Sequence, residues 1–142
     1  MDDFRQIICC NKVARLFEAI DYDEIQFIKD WLHSEVNRQI IELEPAVISQ
    51  GILYWKECFS EEYPLRKEDR KIIPDAMFWL GYILTYMQYS YSMTGVELWD
   101  RYDIIEVLKF YDVLHTQSSK IASEDIMKSF VRGEVENSDN IH

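Results

Sequence analysis

The sequence predicts an all-α protein, built as a single-domain bundle of about six to seven helices. Apolar residues recur at intervals of three and four along most of the chain, which is the period of a helix buried on one side. The 142 residues include only four glycines and three prolines, so long loops are disfavoured. No segment alternates polar and apolar residues over the length of a strand. We expect one helical domain over residues 1–133 and a flexible acidic tail over 134–142.

Three helices are predicted before residue 60. The first carries the apolar stripe Phe4, Ile7, Cys10, Ala14 and Phe17. Acidic residues at 21–24 supply a cap for the second, whose stripe is Ile25, Ile28, Leu32, Val36, Ile40 and Leu43. Pro45 ends that helix and starts a third, which buries Ile48, Ile52, Trp55 and Phe59. The charged connector that follows, at about 60–72, is our candidate hinge.

The most buried helix is expected near residues 74–92, starting at Pro74. It is apolar on two sides, and a helix of that kind runs through the middle of a bundle. One side consists of Met77, Leu80, Gly81, Leu84 and Met87. The other is an aromatic stripe formed by Trp79, Tyr82, Tyr86 and Tyr89.

Helix starts are closely spaced in the C-terminal part of the chain. Thr94 with Glu97 predicts a capping box, in which each residue bonds the backbone N–H of the other, and Asp103 with Glu106 predicts a second. Ser123 is expected to cap the last helix, which Gly133 would stop.

The charge of the chain limits its possible partners. Acidic residues outnumber basic ones by 26 to 15, for a formal net charge of −11. A nucleic-acid-binding surface needs clustered Lys and Arg, so we expect no nucleic-acid partner. The acidity would attract a basic protein surface, although it is equally explained by solubility alone.

Three cysteines without a CxxC pair make no disulfide framework, which suits a reducing cytoplasm. The acidic N-terminus differs from the basic opening of a signal peptide. The longest apolar stretch, near 77–87, is too short and too polar to span a bilayer. We therefore expect a cytoplasmic protein without a membrane partner.

The sequence contains no catalytic or phosphate-binding signature, and we predict no enzyme activity, no cofactor and no metal. Among the histidines, His115 has the strongest case for a functional role as the alternative to a structural one. At the end of a helix its ring can bond a C-terminal carbonyl, which is a structural role. With Asp112 three residues earlier, it could instead act as a general base. We favour the structural role because no nucleophile accompanies it.

The aromatic stripe also has two interpretations. Core packing is the simpler one, because aromatic side chains fill bundle centres. However, four tyrosines fall between residues 82 and 91, and each buried hydroxyl needs a partner. We therefore retain Trp79, Tyr82, Tyr86 and Tyr89 as candidates for partner binding.

The C-terminal half contains a series of short motifs. A short helix follows Thr94-Gly95, and an aliphatic helix covers 104–108. The segment 111–116, which contains His115, comes next, and a helix with an acidic start begins at Ser123 and includes Asp125. This pattern resembles a family of small helical bacterial proteins whose genes commonly lie beside toxins of the ADP-ribosyltransferase type. Residues 80–83 and Tyr86 resemble a related group from the same gene neighbourhoods. The matching motifs are largely structural, so structural roles are expected for Thr94, Tyr111, Asp112, His115, Ser123 and Asp125, as the capping box predicts for Asp103. The resemblance implies an antitoxin-like or accessory function.

Three hypotheses follow for the function. The first is a non-catalytic interaction module that binds and neutralises a partner enzyme, such as a neighbouring toxin acting on NAD. The second is a small ligand-binding protein or enzyme with a pocket around His115. The third is a homo-oligomeric structural or phage-type protein.

Overall fold

The computed structural model describes residues 3–21, 23–64 and 72–133. Within these ranges the chain forms ten helices, and the predicted all-α, single-domain bundle is confirmed, with more and shorter helices than the six to seven expected. They are α1 (Phe4–Glu18), α2 (Glu24–His33), α3 (Glu35–Ile41), α4 (Pro45–Ile48), α5 (Ile52–Glu62), α6 (Pro74–Ser90), α7 (Gly95–Arg101), α8 (Ile104–Lys109), α9 (Tyr111–Leu114) and α10 (Ser119–Ser129). The predicted tail, 134–142, and most of the predicted connector lie outside the described residues.

Two helices that we expected to be continuous are broken. The helix predicted through residue 43 ends at His33, because Ser34 is extended (φ −77°, ψ 151°). The Ser34 hydroxyl donates to the Trp31 carbonyl at 2.7 Å and accepts from the Asn37 N–H at 3.1 Å. The same hydroxyl thus bonds one backbone group at the end of α2 and one at the start of α3. The next expected helix is likewise divided at Gly51, which is extended at the start of α5.

The first apolar positions of α1 and α2 are exposed, contrary to our expectation. Phe4 is 71% and Ile25 is 47% accessible, whereas both were placed on buried stripes. The buried residues of α1 run only from Cys9 to Phe17. Because just the later turns of α1 are covered by neighbouring helices, helical periodicity alone overestimates the length of the buried stripe.

The central helix α6 is buried as predicted. The whole expected face is in the core, namely Met77, Leu80, Gly81, Leu84 and Met87. Gly81 makes the close contact with α1 possible, since a Cβ atom there would lie 2.8 Å from Phe17 Cγ and 3.0 Å from Ala14 Cα. Phe17 also meets the ring of Phe27 edge to face, with centroids 4.9 Å apart, and joins α1 to α2.

Of the caps predicted in the C-terminal part, one capping box is complete, one is half formed, and the last helix is capped by a different serine. Thr94 and Glu97 form the complete box. Asp103 accepts from the Glu106 N–H at 3.1 Å, but its own N–H donates to the Phe130 carbonyl, so Glu106 cannot return the bond. Ser118, not Ser123, caps α10. The buried Ser123 lies one turn inside this helix, where its hydroxyl bonds the Lys120 carbonyl and the hydroxyl of Tyr91.

The last helix ends before the residue that we expected to stop it. Ser129 is the final residue of α10, and Phe130 follows as its C-cap. Gly133 adopts a positive φ of 96° three residues later, in the turn after an isolated bridge between Tyr102 and Val131. That bridge holds the segment after α10 against the end of α7.

Candidate functional sites

The predicted aromatic stripe divides between the surface and the interior. Trp79 and Tyr82 are half-buried and line a surface groove. Tyr89 faces inward, where its hydroxyl donates to the Ile40 carbonyl at 2.7 Å. Tyr86 is also half-buried and packs against the core without lining that groove. Trp79 and Tyr82 are therefore the members of the stripe that line this groove, and partner binding by any of the four stays a prediction.

The groove next to Trp79 has a volume of about 350 Å³ and we call it the aromatic groove. It is lined by Glu18, Asp75, Phe78, Trp79, Tyr82, Tyr111 and His115. The rings of Trp79 and Tyr111 meet edge to face with centroids 5.8 Å apart, and Tyr111 stacks on the imidazole of His115 at 4.3 Å. Helices α1, α6 and α9 together thus place several aromatic rings beside two carboxylates.

Both carboxylates of the aromatic groove, Glu18 and Asp75, are exposed, and the charge of Asp75 acts on Tyr111. Burial raises the pKa of the Tyr111 hydroxyl, and the negative charges of Asp75 and Asp112 raise this pKa further. Burial likewise raises the pKa of Tyr82. Both phenols are therefore neutral at physiological pH, and the negative charge in this region belongs to the carboxylates.

His115 is exposed at the end of α9, and the structural role that we favoured for it stays a prediction. Its Nδ1 donates to the Tyr111 carbonyl at 2.7 Å, one turn back along the chain. This bond and the stacking on Tyr111 hold the ring in place. Asp112 lines a different groove, beside Ile25 and Ile73. In the described part of the chain, no hydrogen bond joins Asp112 to His115, and the acid–base pair that we considered stays untested.

A larger pocket lies between α8, α9 and α10, with a volume of about 560 Å³. We call it the acidic-rimmed pocket, and its lining residues are Asp103, Glu106, Phe110, Val113, Leu114, Asp125, Ser129 and Phe130. Two of its apolar side chains are open to solvent, with Phe110 51% and Val113 60% accessible. Phe110 is fixed by an edge-to-face contact with Phe130, at a centroid distance of 5.3 Å.

Our sequence analysis missed Phe110 and Val113 as site residues. It placed the neighbouring Asp103 and Asp125 in structural roles, and both contribute to the rim of this pocket. A signal was present, because Phe110, Val113 and Leu114 repeat at three and four residues. That pattern predicts burial, and only the packing of α9 shows that two of the three remain exposed.

The chemistry of the described residues offers no metal centre. In residues 3–21, 23–64 and 72–133, no three His, Cys, Asp or Glu side chains are placed to hold an ion. Cys9 and Cys10 are buried free thiols, and burial raises the pKa of both. A raised pKa keeps a thiol protonated and poorly nucleophilic.

These features define an acidic helical bundle whose surface grooves include an aromatic one and an apolar one lined by carboxylates. Comparison with known protein families, with characterised proteins and with solved structures gives no match for this chain. In the described part of the chain, every helix is too short or too polar to cross a bilayer.

Proposed function

We propose that this protein is a non-catalytic interaction module that binds a partner enzyme and neutralises it, as an antitoxin does. The observation that carries the proposal is the acidic-rimmed pocket, where Phe110 and Val113 stay exposed next to three carboxylates. Clustered apolar side chains with a polar rim are typical of protein-binding sites, because exposing them to water costs free energy that a partner recovers.

The chemistry of the pocket favours one kind of occupant. Leu114 and Phe130 contribute apolar side chains to the lining, and Asp103, Glu106 and Asp125 contribute carboxylates. Glu106 also pairs with Lys109 at 3.6 Å on the exposed surface. An amphipathic helix can insert apolar side chains into the pocket and place Lys or Arg against the carboxylates. The net charge of −11 adds long-range attraction for such a basic surface.

The identity of the partner is proposed from the resemblance of the C-terminal half. An ADP-ribosyltransferase-type toxin encoded beside this protein in a bacterial genome, and acting in the same cytoplasm, is the first candidate. Neutralisation would be steric, with α8, α9 and α10 covering the toxin's active cleft. In this mechanism the protein supplies a preformed surface and performs no chemistry itself.

The test is co-expression with the neighbouring toxin, followed by growth measurement and co-purification. Val113→Asp places a charge at an exposed position of the pocket lining without disturbing the core. Val96→Asp is the matched control, because Val96 is also an exposed helical valine, 42% accessible, and lies outside the pocket. We expect wild type and Val96→Asp to restore growth and bind the toxin, and Val113→Asp to bind at least about tenfold more weakly.

Three results would contradict the proposal. The first is a toxin that remains active in the presence of wild type. The second is the absence of a stable complex between the two proteins. The third is an equal loss of binding in the two valine variants, since the pocket would then have no special part in the contact.

A further inference from the structure

We propose that the aromatic groove is a binding site for a monovalent organic cation, of the guanidinium or alkylammonium class. This site is distinct from the acidic-rimmed pocket, which lies against other residues of the short helix α9. Tyr111 and His115 line the aromatic groove, whereas Val113 and Leu114 line the pocket. The inference therefore stands whether or not a toxin binds the pocket.

The first support is the concentration of aromatic rings. Phe78, Trp79, Tyr82 and Tyr111 all line one groove of about 350 Å³. The face of an aromatic ring is electron-rich and attracts a cation within about 6 Å of its centre, with Trp the strongest. Trp79 is held by its edge contact with Tyr111, so the rings are ordered before a ligand arrives.

The second support is the arrangement of charge. Glu18 from α1 and Asp75 from α6 lie in the same groove, and neither makes an ion pair within the described residues. The lining contains no Lys or Arg that could neutralise them. An incoming guanidinium would gain hydrogen bonds to the carboxylates together with contact to the rings.

The chain already uses the same chemistry internally. The guanidinium of Arg132 lies 5.3 Å from the ring centre of Trp99, and Lys12 Nζ lies 5.1 Å from that of Trp55. In each case a cation from this chain covers one indole. Trp79 is half-buried, as Trp99 is, and within the described residues its two neighbouring carboxylates form no ion pair and its ring has no cation contact.

The size of the groove limits the ligand. Its volume is at the lower end of the range of small-molecule pockets, about 300–1,000 Å³, and suits one group the size of an arginine side chain. Such a group could belong to a protein partner or to a free small molecule. A neutral sugar could also stack on the rings, but it carries no positive charge for the two carboxylates to attract.

The test is a titration of the full chain labelled with ¹⁵N, followed through the indole N–H signal of Trp79. The probes are Nα-acetyl-arginine methylamide and its uncharged isostere Nα-acetyl-citrulline methylamide, with tetramethylammonium as a cation that cannot donate hydrogen bonds. We expect the arginine derivative to bind at least about tenfold more tightly than the citrulline derivative, and its binding to weaken as salt is added. Saturable binding of tetramethylammonium would support a contribution of the aromatic rings to cation binding.

Variants assign the binding to the groove. The double variant Glu18→Gln/Asp75→Asn removes both charges from exposed positions and should weaken arginine binding at least about fivefold. Trp79→Leu should also weaken arginine binding at least about fivefold. If Trp79→Leu disturbs folding, the double variant still tests the proposal. Asp100→Asn and Trp99→Leu are matched controls outside the groove, and both should bind as wild type does.

A longer probe distinguishes the two sources of the cation. If the peptide Gly-Gly-Arg-Gly-Gly binds much more tightly than the single residue, the groove recognises a side chain in a polypeptide. Equal affinities mean that the cation alone is sufficient, as for a free small molecule. The proposal is overturned if the citrulline derivative binds as well as the arginine derivative, or if the double variant keeps wild-type affinity.

Discussion

The side-chain nitrogen of Asn37 donates a 2.9 Å hydrogen bond to Oε1 of Gln88, which joins α3 to the central helix α6. Both side chains are 1% exposed. Gln88 in turn donates to the Leu84 carbonyl at 3.2 Å, while Asn37 Oδ1 has no partner in the described part of the chain. Together with the bond from the Tyr89 hydroxyl to the Ile40 carbonyl, this pair makes polar contact between α3 and α6.

Removing one member of this pair should destabilise the protein. Asn37→Ala leaves Gln88 Oε1 buried without a donor, and we expect unfolding free energy to fall by about 1–3 kcal/mol in urea denaturation. Asn37→Ala/Gln88→Leu should cost less than the sum of the two single changes, because the orphaned acceptor is also removed. Strict additivity would show that the two amides are energetically independent.

Gly95 should tolerate no side chain. A Cβ atom at this position would lie 2.0 Å from the Leu32 carbonyl oxygen and 2.7 Å from Asn37 Nδ2, so α7 would have to move away from α2. We expect Gly95→Ser to cost about 3 kcal/mol or more in thermal or urea unfolding.

Gly51 provides the matched control for Gly95. Nothing lies within 4 Å of a Cβ atom at Gly51, which precedes α5. Gly51→Ser should change unfolding free energy by less than about 0.5 kcal/mol, since serine is also favourable at a helix start. Similar costs for both substitutions would refute the close approach of α7 to α2.

The burial of α6 can be tested with two leucines. Leu84 is 1% exposed in the core and Leu53 is 77% exposed on α5. Leu84→Ala should lower unfolding free energy by about 2–5 kcal/mol through loss of burial and formation of a cavity. Leu53→Ala should change it by less than about 0.5 kcal/mol. A near-neutral result for Leu84→Ala would mean that the register of the central helix is wrong.

The buried thiol of Cys10 should make stability depend on pH in the alkaline range. Burial raises the pKa of this thiol from 9.0 to about 12. The unfolded chain therefore releases the proton at a lower pH than the folded protein. The stabilisation linked to this proton is fully present below pH 9 and is lost as the pH rises from 9 toward 12.

Urea unfolding of wild type and Cys10→Ala at pH 8 and pH 10.5 measures this effect. The alanine variant should be less stable at pH 8 because it leaves a cavity, and the difference from wild type should shrink at pH 10.5. Burial also raises the pKa of Cys9 and of Tyr89, so the variant should retain part of the pH dependence. A difference that stays constant between the two pH values would contradict a buried, protonated Cys10.

Local chemistry was enough to predict some elements. The capping box at Thr94 and Glu97 depends on residues three apart, and Pro74 with the two apolar sides of α6 identified the central helix. Ser34 and Ser118 are the opposite case, because serine occurs both inside helices and at their caps. A serine becomes a cap where the helix ends, and the packing of neighbouring elements decides where that is.

The candidate sites show the same division. Trp79, Tyr82, Tyr111 and His115 were singled out from sequence, but Glu18 and Asp75 join them only because α1 and the start of α6 pack beside α9. Phe110 and Val113 have the spacing of core residues and are nevertheless exposed.

For this protein, the sequence by itself determined the all-α class, the buried central helix and the strong negative charge. Each of these follows from composition or from spacing along the chain. The tertiary structure alone decided which aromatic residues face solvent and which carboxylates stand beside them. The physical reason is that exposure depends on what other helices cover, and residues distant in sequence supply that cover.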